Sequence, residues 1–85
     1  MNARFKTYVA VCFEKDGVIN TKFVTGLEGM STALWEDGKP AMSFGESWAK
    51  DIVLGLTWNG YAAAVFRVLD GVRLSNPPGK TEESA

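Results

Sequence analysis

Histidine is absent from this 85-residue sequence, and cysteine occurs once, as Cys12. Zinc sites need Cys or His in sets, so that chemistry is excluded. Ser–His and Cys–His nucleophile pairs are excluded for the same reason. A lone cysteine forms no internal disulfide and fits a reducing compartment. No apolar run approaches the roughly 20 residues of a membrane span. The start, Met1-Asn2-Ala3-Arg4-Phe5-Lys6, has charge but no signal-peptide core. The expected location is therefore the cytoplasm. Charge excess is also missing. Nine Lys and Arg stand against ten Asp and Glu, a net charge of −1. That is neither the basic footprint of a nucleic-acid binder nor the acidic surface of a DNA mimic.

What is present is the balance of an ordinary globular domain, 46% apolar and 22% charged. The length fits one domain, expected over residues 1–79, with a polar tail at 80–85. So short a chain buries only about 60% of its unfolded surface, and a partner or a second copy adds burial that the chain alone lacks.

Alternating residues rich in Val, Thr, Tyr and Phe predict a hairpin from Phe5–Glu14 and Val18–Thr25, joined at Lys15-Asp16-Gly17. A two-residue Asp16-Gly17 turn sets Val9, Val11 and Phe13 beside Val24, Lys22 and Asn20. A three-residue loop sets them beside Phe23, Thr21 and Ile19, which gathers apolar groups on one face, and this second register is expected. Gly26–Met30 reads as a connector. A second hairpin is expected from Ser31–Glu36 and Lys39–Phe44 about Asp37-Gly38, with Glu36 opposite Lys39 and Pro40 confining the strand to an edge. A short helix over 27–35 is the competing reading.

Ser43-Phe44-Gly45-Glu46 fits a capping box, and Asn59-Gly60 fits a helix end. Between them Trp48, Ala49, Ile52, Val53 and Leu56 share one arc, expected to face the core. Tyr61–Leu69 is apolar on both faces and reads as an interior strand. Asp70-Gly71 leads to a short strand, Val72–Leu74, stopped by Asn76-Pro77-Pro78-Gly79. The expected fold is α+β, one helix on a mainly antiparallel sheet, in the order β-β-β-β-α-β-β.

Candidate chemistry is sparse. Glu46 and Asp51 lie about 140° apart on the helix and do not converge. Cys12 reads as a semi-buried strand residue. Gly26-Leu27-Glu28-Gly29 has the spacing of a KH-domain loop, but Glu28 would repel phosphate. No catalytic residue, metal or cofactor is expected. Two binding surfaces stand out. Leu54 and Trp58, four apart on the arc of Ser47 and Asp51, interrupt a polar helix face. They are either an anchor pair for a partner or are covered by the last strand or the tail. The alternative surface is Tyr8, Lys22, Lys6 and Arg4, which could offer stacking and phosphate contacts to single-stranded nucleic acid on the sheet face away from the helix.

The stretch from Lys39-Pro40-Ala41-Met42-Ser43-Phe44 to Asn59-Gly60-Tyr61-Ala62-Ala63-Ala64-Val65 resembles small accessory proteins of phages and mobile elements, some of them host-takeover or anti-CRISPR inhibitors. The resemblance covers about a third of the chain and lies in cadence, so it transfers no functional residue. It implies a compact, non-enzymatic inhibitor acting in a host cytoplasm on a protein or nucleoprotein complex. A nucleic-acid-binding module and a homo-oligomer, such as a homodimer, are the other readings.

Overall fold

Phe5–Lys15 forms the longest strand, β1, and everything else is arranged around it. The computed structural model describes residues 4–29 and 32–78. β2 (Val18–Phe23) pairs antiparallel with one side of β1, and β5 (Ala62–Leu69) pairs antiparallel with the other, giving the sheet order β2-β1-β5. A second, two-stranded sheet joins β3 (Gly26–Glu28) to β4 (Thr32–Leu34). The one helix among the described residues, α1 (Glu46–Trp58), lies between β4 and β5 in the chain. The fold is α+β, as the sequence pattern predicts.

The first turn takes the two-residue form. Asp16 and Gly17 have φ of 55° and 77°, the pair of left-handed residues that a type I′ turn requires. Lys15 therefore opposes Val18, Phe13 opposes Asn20 and Val11 opposes Lys22. The expected three-residue register is wrong. Turn geometry outweighs the gathering of apolar groups, and Ile19, Thr21 and Phe23 fall on the other face, with Cys12 and Ala10.

Val9, Val11 and Val24 are fully buried and form the core with Phe44, Ala49, Ile52 and Leu56. Ala63 and Val65 of β5 and Trp35 pack against it. Odd-numbered residues of β1 and β5 thus face the helix, and even-numbered ones face away, as strand alternation demands. Each fully buried valine contributes roughly 1.5–3 kcal/mol.

The helix starts later than the capping box implies. Its N-cap is Gly45, with no side-chain cap, because the Phe44 N–H is already donated to the Thr7 carbonyl (2.9 Å) and its ring is buried. The C-terminal reading is correct. Gly60 has φ of 90°, its N–H reaches the Thr57 carbonyl, and Tyr61 N–H reaches that of Leu56, a Schellman motif.

The second expected hairpin forms with different partners. Asp37-Gly38 does turn, but 32–36 and 39–44 do not pair. Leu34 pairs back to Gly26 within the supposed connector, so the helix alternative for 27–35 is also wrong. Residues 38–41 bond instead to 74–77: Gly38 N–H to the Pro77 carbonyl, Ala41 N–H to Leu74, and Asn76 N–H to Lys39. Pro40, lacking an N–H, sits in this ladder as a bridge to Ser75 without being asked to donate. Val72–Leu74 is accordingly no strand of a hairpin with β5. β5 is an edge strand rather than an interior one, and the interior position belongs to β1. The polar tail, 80–85, lies outside the described residues.

Asn76 closes this arrangement. It is the buried polar residue of the described core, 3% exposed. Its side-chain oxygen accepts from Phe23 N–H (2.8 Å), and its amide donates to the carbonyls of Phe23 (2.9 Å) and Glu36 (3.0 Å). The side-chain amide takes the place of a backbone neighbour at the end of β2 and satisfies groups that burial would otherwise penalise.

Candidate binding surfaces

Ala49, Ile52 and Leu56, three and four apart, are the buried line of α1. On the opposite side of the wheel Ser47, Asp51, Leu54 and Trp58 form a continuous exposed stripe. Leu54 is 57% exposed, and Trp58, in the last turn, is 86% exposed. Among the described residues nothing covers either. Trp48 departs from expectation. It lies one residue before the buried line, about 100° round the helix. It is half-exposed, its ring set edge-on to Phe44 at 6.0 Å.

Beside the stripe a groove of about 450 Å³ separates α1 from β4. Its walls include Thr32 and Ala33 on one side and Asp51, Ile52 and Gly55 on the other. Its aromatic residues are Trp35 and Tyr61, whose rings meet edge-to-face at 5.1 Å. Asp51 belongs to both groove and stripe. Gly55 is informative because a Cβ built there meets nothing within 4 Å. No packing constraint requires a glycine in this helix interior, where it costs about 1 kcal/mol against alanine. Its effect is to leave the groove wall open.

The nucleic-acid surface is not assembled. Tyr8 does point away from the helix, but it is buried and lines a second groove with Pro40, Ala41 and residues 70–75. Lys22, opposite Val11, stands on the helix side and pairs with Asp37. Lys6 pairs with Asp70 at 3.5 Å, and Arg4 is exposed at the strand's start. The four residues present no stacking platform flanked by free cations.

The face away from the helix is apolar instead. Phe23 and Phe66, from the strands flanking β1, meet edge-to-face at 6.0 Å across Ala10, which is 4% exposed. Ile19, Ala62, Ala64 and Phe66 remain exposed around them. Sequence reasoning missed this surface because it follows from the two-residue register, which puts Phe23 on the face of Ala10. The signal was the Asp-Gly pair itself. Cys12 lies on this face, half-buried, with its Sγ 3.2 Å from Thr21 Oγ1.

Among the described residues no three His, Cys, Asp or Glu side chains gather as a metal would require, and no helix is long and apolar enough to cross a membrane. No protein-family model, curated protein or solved structure matches the chain.

Proposed function

We propose that this is a non-enzymatic binding protein that seats the outer stripe of α1 on a larger protein or nucleoprotein complex. One observation carries the reading: an indole held almost entirely in solvent at Trp58, one helical turn from exposed Leu54. Tryptophan is the side chain most enriched among interface anchors, and covering one fully stabilises a complex by about 2 kcal/mol or more. The neighbouring groove supplies a concave companion to that convex anchor, and Gly55 keeps it open. The partner that fits presents an apolar cleft for the indole and a cationic group for Asp51. The cadence shared with phage accessory proteins makes an inhibitor of a host complex the specific form of this proposal, with the host cytoplasm as its place of action.

The test compares Trp58→Ala with wild type in capture from the source cell's lysate, beside thermal melts. Trp58→Ala is expected to melt within about 2 °C of wild type, as an exposed substitution should, and to lose the captured partner. Gly55→Ala is expected to gain about 0.5–1 kcal/mol of stability while weakening capture. A Trp58→Ala variant that retains the partner, or that melts like a core variant, removes the basis for the proposal.

A further inference from the structure

The two edges of the main sheet are finished differently. β2 carries Asn20 and Lys22, and its end is closed by the Asn76 side chain. β5 has few of the devices that keep an edge solitary, only a single charge at Arg67 near its end. Its eight residues, Ala-Ala-Ala-Val-Phe-Arg-Val-Leu, include no proline and no lysine. Its register with β1 runs unbroken from Phe5–Leu69 to Cys12–Ala62, so no bulge turns it aside.

Which backbone groups lie on that edge follows from the hydrogen bonds. The Thr7 and Val9 carbonyls accept from Phe44 and Val24, on the β2 side, whereas Arg4 accepts from Asp70, on the β5 side. Strand alternation then turns the even-numbered groups of β1 toward β5, and toward them the even-numbered groups of β5. The N–H and C=O of Ala63, Val65 and Arg67 therefore point outward, and among the described residues nothing pairs with them.

We propose that this edge pairs antiparallel with the same edge of a second copy, about a two-fold axis at Val65, joining two three-stranded sheets into one of six strands. In this register Val65 opposes Val65 of the second copy, and Ala63 opposes Arg67. Ala63, Val65 and Arg67 of each chain are all used, giving six N–H···O bonds; Leu69, the fourth outward residue, already accepts from Val72 N–H through its carbonyl. Side chains match as well. On the face away from the helix, exposed Phe66 lies beside exposed Ala64 of the second copy, large against small. Arg67, the only charge on β5, meets an alanine rather than itself; a shift by two residues along each strand, setting Arg67 against Arg67, brings like charges into direct opposition. At about one hydrogen bond per 100–200 Å² of interface, six bonds correspond to roughly 600–1,200 Å², the size of weak, transient interfaces and below that of stable ones. The dimer is thus a weak one, in the micromolar range or above. This surface is separate from the helix stripe and stands whether or not that stripe binds a partner.

Sedimentation equilibrium of the full chain tests it. The average mass should rise from 9.2 kDa toward twice that value as concentration increases from about 1 µM to about 1 mM, the span a weak interface requires. Ala64→Lys places a charge beside Phe66 of the second copy at an already exposed position, and should hold the chain at monomer mass. Val65→Pro removes an outward N–H, a substitution that edge strands accept, and should do the same; if it unfolds, Ala64→Lys decides alone. A wild-type chain that stays at 9.2 kDa throughout overturns the proposal and leaves the edge to another protein's strand. A dimer that survives Ala64→Lys, or that Trp58→Ala disperses, overturns it too.

Discussion

On the helix side of the sheet, Val9 and Val11 are closed off by a layer of other elements: α1, Trp35 and the segment around Phe44. On the far side Tyr8 and Ala10 are almost as deeply buried, yet among the described residues no second layer lies over Ala10, only two rings leaning in from neighbouring strands. The first face is closed by architecture and the second by side chains. The described residues hold one helix, and the sheet has two sides. The difference teaches where substitution is felt. Removing a group from the first face disturbs a packed interior, whereas removing one from the second mainly bares surface.

The largest effect is therefore expected at Val11, which is fully buried on the helix side. Val11→Asp places an unpaired charge in the core and should leave the chain unfolded, since the penalty rivals the whole stability of a small domain, about 5–10 kcal/mol. Far-ultraviolet circular dichroism at 25 °C should show loss of structure; a cooperative melt near the wild-type temperature would mean that this face is not the core. Next comes Asn76→Ala, which strips partners from Phe23 N–H, Phe23 C=O and Glu36 C=O. A loss of about 2–3 kcal/mol in urea unfolding is expected. Asn76→Asp should be no better, because it keeps the acceptor but sets a carboxylate against two carbonyls. The smallest effect belongs to the open face. Phe66→Ala gives up one edge-to-face ring contact and a half-exposed side chain, for about 1–2 kcal/mol. Should Phe66→Ala cost as much as removing a buried valine, the contrast between the two faces collapses.

The parts of this fold legible in the sequence are those set by neighbours along the chain. Asn59-Gly60 ends the helix because the Schellman bonds span only five residues. The spacing of Ala49, Ile52 and Leu56 marks the buried line, although Trp48, expected on it, is half-exposed; whether Leu54 and Trp58 are covered does not follow from that spacing, and the structure leaves both exposed. Asp16-Gly17 also marks its own turn, although apolar matching favours a register that the turn does not take. What could not be read depends on segments distant in sequence. Lys39–Phe44 looks like the return arm of a local hairpin, yet it joins residues 74–77, and nothing local distinguishes the two. Asn76, followed by two prolines, reads as a strand terminator; its role depends on Phe23, 53 residues away. β5 looks interior because both its faces are apolar, and the sequence carries no sign that no strand among the described residues flanks its outer side.

The long reach of Asn76 also bears on the order in which the structure assembles. Bringing together ends 53 residues apart costs about 3.5 kcal/mol of chain entropy in an unstructured loop, roughly what three hydrogen bonds return at about 1 kcal/mol each. The contact therefore does not form ahead of the rest. It is expected to close after the α1–β5 unit has formed and β5 has paired with β1, which together shorten the path between Phe23 and Asn76. An interaction absent from the folding transition state leaves the folding rate almost untouched and acts on the rate of opening. Loss of the Asn76 side chain is thus expected to speed opening more than it slows folding.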